Sequence, residues 1–280
     1  MEPAGEELVA EAGRRGVPDP VAVLREARSR RLALAREDLR LLLALVGTPE
    51  VFATPTFITD FVCAYLHVRR TRPRFVVDLW AAAGWMLPPL VATLRPARAI
   101  GILPDGRSGE LAELLAPPGG IVWRIDDARA AAATLEPGVD VVLGCPPWRW
   151  QPRPFHIETA DSPLVLTEDP ANVALLEACT RLAPDGTGLF IVGPGFVMRP
   201  GPGTAFANLK RFGLSLHLLL ELPRGIFSPD SGSGRLLIGI GPAPCPAPLI
   251  DSLTPDPHRT SRVLRTAAGA RAEAEGWEPR

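Results

Sequence analysis

Short apolar runs alternate along the middle of the chain with longer stretches whose apolar residues recur at helical spacing. Uninterrupted apolar runs of strand length are typical of parallel strands that helices cover on both faces. The pattern therefore predicts an α/β fold built on a doubly wound, mainly parallel sheet. The predicted strands are residues 75–77, 99–103, 121–125, 139–144 and 188–192, with 216–222 and 235–240 as a closing pair; the predicted helices between them are residues 85–94, 108–115 and 172–182.

The segment before this region has a different pattern. Residues 1–50 intersperse leucine with arginine and glutamate at helical spacing, which predicts N-terminal helices. A further amphipathic stretch at residues 57–67 predicts another helix, and Thr54-Pro55 stands before it, where proline suits the first turn. We therefore expect a helical extension over residues 1–50 and a central domain over residues 51–241.

The last segment, residues 242–280, is rich in proline and then in alanine and arginine. Its prolines recur at every second position from residue 242 to residue 248. Proline has no backbone N–H to donate and interrupts both helices and sheets. This composition predicts a loose tail with at most a short helix near residues 266–275.

Composition and charge narrow the possible functions. The chain of 280 residues is 46% hydrophobic and has a formal net charge of −1, so no overall positive field attracts nucleic acid. No apolar run is long enough to cross a membrane, and the acidic start lacks the pattern of a signal peptide, so we expect a cytoplasmic protein without membrane association. The four cysteines stand far apart without a CxxC pair, so we expect neither a metal site nor a disulfide framework.

The end of the first predicted strand is a candidate ligand loop, because doubly wound sheets bind ligands at the carboxyl ends of their strands. Asp78 is followed there by Ala82 and Gly84, small residues that allow the backbone to approach a ligand. The next predicted helix begins directly afterwards and can receive the ligand's polar end. A turn of small residues between a strand and a helix also serves purely structural roles, so this loop alone decides little.

The end of the fourth predicted strand carries Cys145-Pro146-Pro147-Trp148. Two prolines cannot continue a buried strand, so the chain turns away stiffly at the edge of the sheet. Trp148 then projects at the rim, where an aromatic face can stack on a flat base. The alternative is a rigid loop with a capping tryptophan, in which Cys145 is a buried structural cysteine.

The order of these features resembles that of the DNA adenine-N6 methyltransferases, in particular the modification subunits of restriction systems and the related gamma class. Five segments match in the family's order: a Thr-Pro opening, an Asp-Pro-x-x-Gly-x-Gly-x-x-Leu loop, an Asn/Asp-Pro-Pro-aromatic tetrapeptide and two later strand segments. The resemblance implies a Rossmann-like methyltransferase fold with a seven-stranded type of sheet, S-adenosylmethionine as cofactor, and a flipped DNA adenine as methyl acceptor. The matching segments are residues 54–58, 78–87, 145–148, 182–196 and 221–238.

The resemblance also implies roles for individual residues. The tetrapeptide supplies the catalytic residues, which are Cys145, Pro146, Pro147 and Trp148. The cofactor is held by the opening, by the loop after the first strand, and by acidic residues after the second and third strands. These implied cofactor-binding residues are Thr54, Pro55, Asp78, Ala82, Gly84, Asp105 and Asp126.

Three positions depart from the family's pattern. Ala82 replaces the first loop glycine and crowds the approach to the cofactor. Leu103 stands where the family has the acidic residue that holds the ribose hydroxyls, with Asp105 two residues further on as its substitute. Cys145 replaces the Asn or Asp that orients the target amino group, and a thiol is a weak hydrogen-bond acceptor. The departures at residues 82 and 103 predict weak or undetectable cofactor binding, and the departure at residue 145 predicts poor orientation of the acceptor amino group.

Functions from different classes remain open. The first is an S-adenosylmethionine-dependent DNA adenine-N6 methyltransferase with weak or no activity. The second is a non-catalytic subunit or scaffold with the methyltransferase fold, and a small-molecule methyltransferase is a third. The resemblance implies a target-recognition region, which usually follows the catalytic domain, but only about 40 low-complexity residues follow Ile240. We therefore expect specific DNA recognition to come from a partner specificity subunit or to be absent.

Overall fold

An eight-stranded sheet lies at the centre of the described part of the chain. Its strands are β1 (Phe75–Asp78), β2 (Arg98–Leu103), β3 (Val122–Ile125), β4 (Val139–Gly144), β7 (Leu182–Val192), β8 (Ser215–Leu222), β9 (Arg235–Gly241) and β10 (Leu249–Ser252). A separate antiparallel hairpin consists of β5 (Arg153–Ile157) and β6 (Leu164–Glu168). The computed structural model describes residues 14, 19–29, 54–69, 72–81, 86–116, 120–147, 151–157, 163–199, 201–227, 234–245 and 247–274.

Helices follow most of the strands and cover the sheet. They are α1 (Pro20–Ser29), α2 (Thr56–Val68), α3 (Leu87–Leu94), α4 (Gly106–Leu115), α5 (Ala128–Ala133), α6 (Pro170–Cys179), α7 (Gly195–Met198), a 3-10 helix (Phe206–Phe212) and α8 (Pro257–Ala274). Among the helices of these ranges, none combines the length and the apolar character that a membrane crossing requires.

The strand order is β10-β8-β9-β7-β4-β1-β2-β3. Neighbouring strands are parallel except that β9 runs antiparallel to both β7 and β8. The chain passes from β1 outward to β3 and then returns to β4 on the other side of β1, so the order reverses at β1 and β4. Such a reversal opens a crevice at the carboxyl ends of the strands. The predicted doubly wound, mainly parallel sheet is confirmed, and β10 adds an eighth strand to the seven predicted ones.

Successive residues of a buried strand face opposite layers. In β1, Val76 packs in a core with α2, α3 and α8, whereas Val77 packs in a core with α5 and α6. Both valines are fully buried, which is why β1 has a continuous apolar sequence rather than an alternating one. Covered faces on both sides hold the carboxyl ends of the central strands in one place.

Most sequence-based boundaries of the central elements agree with the structure to within about two residues, but β7 begins at Leu182 rather than at residue 188. Strand β4 covers the predicted residues 139–144, and α2 covers the predicted 57–67 with Pro55 at its N-cap position. Of the predicted N-terminal helices, α1 packs against α4, and Arg25 of α1 pairs with Glu110. Most of the rest of residues 1–50 lies outside the described residues.

The predicted loose tail is wrong for residues 247–274. Strand β10 pairs in parallel with β8, and the following helix α8 packs against α2 through Val263 and Ala267. The prolines precede these elements instead of interrupting them, because Pro257 occupies the first position of α8, where its missing N–H costs nothing. This segment is ordered because β10 pairs with the otherwise unpaired edge of β8 and because α8 covers a face of α2.

Candidate functional site

The carboxyl ends of β1, β2, β3 and β4 surround one cavity of about 510 Å³. It lies at the point where the strand order reverses, and its volume is in the range of small-molecule sites. Apolar groups form most of its wall, with a few carboxyl groups and one guanidinium among them. The lining residues include Thr54, Asp78, Leu79, Trp80, Met86, Ile102, Leu103, Pro104, Asp126, Asp127, Arg129, Cys145, Pro146, Pro147, Gln151 and Asp169.

Asp78 is the last residue of β1 and lies on the floor of the cavity. Its backbone is held between Gly101 of β2 and Leu143 of β4, and its side chain is only 2% exposed. One carboxyl oxygen, Oδ1, accepts a hydrogen bond from the backbone N–H of Trp80 at 3.2 Å. Burial raises the pKa of Asp78 to about 7, although the Trp80 hydrogen bond acts in the opposite direction. This carboxyl therefore gains or loses a proton near neutral pH.

Close packing joins β1 to β4 beside Asp78. The backbone N–H of Leu79 donates to the carbonyl of Leu143 at 3.0 Å. The indole of Trp80 then packs on Gly144, where a β-carbon would lie 2.6 Å from Cε3 of the ring. A residue without a side chain is therefore required at position 144. The result is a flat aromatic wall directly beside the tetrapeptide.

Cys145 follows β4, lines the cavity and is partly exposed to it. Burial raises the pKa of its thiol to about 12, the negative charge of Asp78 adds to the rise, and Arg235 opposes it. The thiol is therefore protonated at neutral pH. A neutral thiol is neither an effective nucleophile nor a strong hydrogen-bond acceptor.

The ends of β2 and β3 offer less to a ligand than the resemblance implies. Leu103 is fully buried at the position where an acidic residue is expected. Asp105 does not line the cavity, and its Oδ1 caps α4 by accepting from the Ser108 N–H at 2.7 Å. Asp126 does line it, but its Oδ2 pairs with Arg124 and its Oδ1 accepts from the backbone N–H of Asp127 at 2.9 Å.

Residues that sequence reasoning missed hold the other side of the cavity. Asp169 lines it and accepts from the Gln151 N–H through Oδ2 and from the Ala171 N–H through Oδ1, both at 2.9 Å. Behind it, the buried Glu168 accepts from the Asp169 N–H at 2.9 Å. Aspartate followed by Pro170 is a helix-start signal, so the cap of α6 was visible in the sequence. The hydrogen bond between Asp169 and Gln151 could not be predicted from the sequence, because its partners are 18 residues apart.

The structure brings six of the predicted site residues to the cavity: Thr54, Asp78, Asp126, Cys145, Pro146 and Pro147. Pro55 stands at the start of α2 and does not line the cavity. Ala82, Gly84 and Trp148 lie outside the described residues. In the part of the chain that the structure describes, no group of three or more His, Cys, Asp or Glu side chains could hold a metal ion.

Comparison with known proteins identifies the fold. No family model and no curated protein matches the chain. Among solved structures, it is similar to the methyltransferase subunit of a type I restriction-modification system from Streptococcus thermophilus, with 14% identity, 84% of this chain covered and a TM-score of 0.61. It is also similar to a protein from Listeria monocytogenes assigned to the class I S-adenosylmethionine-dependent methyltransferases, with 17% identity, 84% covered and a TM-score of 0.62. The chain has the methyltransferase fold.

A third similar structure is a modification subunit assigned to a type I restriction enzyme of Vibrio vulnificus, with 16% identity, 90% of this chain covered and a TM-score of 0.56. The chain spans 57% of the Streptococcus subunit, 62% of the Vibrio subunit and 79% of the Listeria protein. At these identities the likeness is one of methyltransferase fold, and the cavity lies at the carboxyl edge of that fold's sheet.

Proposed function

We propose that this protein is a relative of the DNA adenine-N6 methyltransferases that binds S-adenosylmethionine weakly and has lost most of its capacity to methylate adenine. The methyltransferase fold and the position of the cavity support the cofactor class. The sequence resemblance to modification subunits supports the substrate class. The single observation behind the proposed loss of activity is at Cys145. Its thiol is protonated and accepts hydrogen bonds weakly, yet it stands where the family orients the acceptor amino group.

The lining residues fit a cationic nucleoside in part. S-adenosylmethionine supplies an activated methyl group when it is bound. Asp78 offers a buried carboxyl to a positive charge, Ile102 and Leu103 offer apolar surface to a flat ring, and Asp126 offers a carboxylate after β3. What is missing is an acceptor for the ribose hydroxyls at the end of β2, because Leu103 has none.

This missing contact sets the expected affinity. A hydrogen bond to a charged group contributes on the order of 1.5–3 kcal/mol, which corresponds to roughly ten- to a hundredfold in affinity. We expect calorimetry with purified protein to give a dissociation constant for S-adenosylmethionine above about 100 μM. A value in the low micromolar range or below would contradict weak binding and favour an active enzyme.

The acceptor side is tested at Cys145. We expect Cys145→Asn to raise methyl transfer to adenine-containing DNA by about 10²–10³, because one aimed polar group in such a site has an effect of that size. The measurement is transfer of label from S-adenosylmethionine at saturating concentration, with Cys145→Ala as the matched control that adds no acceptor. Equal labelling by the wild type and both variants would show that residue 145 does not orient the acceptor.

The second candidate function is a non-catalytic subunit that keeps the methyltransferase fold and contributes binding surface. Two replacements in the same cavity favour it. Leu103 removes a contact to the cofactor ribose, and Cys145 removes the group that orients the acceptor amino group. Under both functions we propose that DNA is engaged through a partner specificity subunit. Cofactor binding without any labelling by Cys145→Asn would favour this second function over the first.

A further inference from the structure

A run of arginines precedes the first strand of the sheet. Four of them stand within six residues, at positions 69, 70, 72 and 74. Arg70 lies outside the described residues, but Arg72 and Arg74 are exposed, whereas Pro73 between them is buried. The proline ring restricts Arg72 to an extended backbone, and its burial anchors the segment against the protein. Both arginines are therefore held at the surface.

A further exposed arginine lies beside this segment. Strands β1 and β2 are parallel neighbours, so the chain enters both from the same edge of the sheet. Phe75 is paired with Arg98, and the Arg98 N–H donates to the carbonyl of Arg74 at 2.8 Å. Arg95 precedes this pair, at the C-terminal end of α3, and is exposed. We call the three exposed arginines, Arg72, Arg74 and Arg95, the basic edge.

The carboxylates around the basic edge do not neutralise it. Glu136 pairs with Arg98 at 2.8 Å, and Asp140 accepts two backbone N–H groups where the chain enters β1, at 2.7 and 2.8 Å. Glu113 on α4 and Asp185 on β7 are exposed to solvent. Within the described residues, none of the three guanidinium groups forms an ion pair. The basic edge therefore keeps a local positive charge in a protein whose formal net charge is −1.

The basic edge lies at the amino ends of the strands, at the opposite end of the sheet from the cavity. Arg74 precedes β1 and Asp78 ends it, which separates the two residues by about 13 Å along the strand. Carboxyl groups line the cavity, among them those of Asp126, Asp127 and Asp169. A polyanion is therefore attracted to the basic edge more strongly than to the cavity.

The chemistry of the basic edge favours phosphate groups over the surface of another protein. The buried core of a protein–protein interface is apolar and enriched in aromatic residues. Among the described residues, the exposed large apolar side chains belong to β3, β6, α7 and β10, and none lies in the segments that carry the three arginines. Guanidinium groups donate paired hydrogen bonds that match the oxygens of a phosphate.

We propose that the basic edge binds the phosphate backbone of nucleic acid, without reading its sequence and without S-adenosylmethionine. This surface lies outside the cavity, so the proposal goes beyond the proposed function, in which sequence-specific recognition belongs to a partner subunit. Each arginine that neutralises a phosphate releases counterions, which gives a slope of about −0.9 in the logarithm of affinity against the logarithm of salt concentration. Three such contacts predict an affinity that falls about fortyfold between about 50 and 200 mM salt.

The test is fluorescence anisotropy of two labelled DNA duplexes of about 20 base pairs and different sequence, without S-adenosylmethionine. We expect the wild type to bind both with equal affinity, within about twofold, and with a salt slope of about −2.7. The triple variant Arg72→Gln/Arg74→Gln/Arg95→Gln should lose about 2.7 of this slope and bind at least about tenfold more weakly at about 50 mM salt.

The matched control is Arg28→Gln/Arg224→Gln/Arg265→Gln, which removes three exposed arginines from α1, from the chain after β8 and from α8. Its net charge equals that of the first variant, and it should bind like the wild type within about twofold. If the first variant does not fold, Arg72→Gln and Arg74→Gln should each lower the slope by about 0.9.

Three results would overturn the proposal: no binding of either duplex by the wild type, an equal loss of binding in the control variant, or an unchanged slope in the basic-edge variants. Competition by polyglutamate as effective as that by unlabelled duplex would assign the basic edge to an acidic protein segment and would overturn it as well. None of these measurements involves the cofactor, so the proposed function stands or falls separately.

Discussion

Two halves of the cavity rim use their polar groups differently. The hairpin half, formed by Gln151, the end of β6 and the start of α6, holds its carboxylates in buried hydrogen bonds. Glu168 alone accepts from the Asp169 N–H, the Asn172 side-chain amide and the Ala205 N–H at 2.8–3.0 Å. The β2–β3 half, formed by the residues that follow those strands, has Leu103, a helix cap at Asp105 and an ion pair at Asp126.

The two halves differ in how far bonds within the protein hold them. The hairpin half is held by bonds within the protein, so it keeps the chain after the tetrapeptide in place whether or not the cavity is filled. The β2–β3 half has no comparable buried network among the described residues. Its remaining capacity for a ligand is apolar surface, and this is where a restored polar group should change affinity.

The largest expected effect is at Glu168. Glu168→Leu should lower the free energy of unfolding by roughly 3–5 kcal/mol, because it leaves three N–H donors without this acceptor, two of them in buried hydrogen bonds. Urea denaturation followed by circular dichroism measures it. Glu168→Gln keeps one acceptor oxygen, so its free energy of unfolding should fall by less than that of Glu168→Leu.

The matched change in the other half is Asp126→Leu. Its ion pair with Arg124 is partly exposed, so the loss should stay below about 1 kcal/mol. Losses of equal size for Glu168→Leu and Asp126→Leu would remove the distinction between the two halves.

An intermediate effect is expected at Asp78, on the floor between the halves. Its pKa is raised from 3.8 to about 7, so the folded state holds the proton more tightly than the unfolded state. The stability that this group contributes is fully present below pH 4 and is lost as pH rises through 7. Asp78→Asn has no such loss and should be more stable than the wild type by roughly 2–4 kcal/mol at pH 8.

The control for Asp78→Asn is a comparison of its stability with that of the wild type at acidic pH. At pH 4 the wild-type carboxyl is protonated, so the two proteins should have the same free energy of unfolding within about 1 kcal/mol. Denaturation curves at pH 4, 6 and 8 measure the difference. A difference that does not grow with pH would mean that the native carboxyl is not held in its neutral form.

A smaller effect, on affinity rather than on stability, is expected at Leu103. Leu103→Glu places a carboxylate at the end of β2 and should tighten S-adenosylmethionine binding about tenfold, or about 1.4 kcal/mol, by accepting from the ribose hydroxyls. Calorimetry measures the change, and Leu103→Gln separates the gain from hydrogen bonding from the gain due to charge. An unchanged dissociation constant in a folded variant would show that the lost ribose contact does not limit affinity.

Much of the fold could be predicted because its central strands are covered on both faces. Continuous apolar runs identified the covered strands β1, β2 and β4, and a further run identified the more exposed edge strand β3. The hairpin β5–β6 was missed because Pro154 lies within β5, where a two-stranded edge tolerates it. Strand β10 and helix α8 were missed because their partners, β8 and α2, are distant in sequence.

The α/β order of elements, the positions of the strand ends and the replacement of the expected groups at residues 103 and 145 follow from the amino-acid sequence alone. The role of each carboxyl depends on the packing of the folded chain. Asp105 and Asp127 are bound to helix N-termini, Asp126 is bound to an arginine, and Asp78 lines the cavity with one backbone hydrogen bond. Residue type and spacing do not distinguish these cases, because desolvation and hydrogen bonding depend on neighbours that only the packing of strands and helices brings within reach.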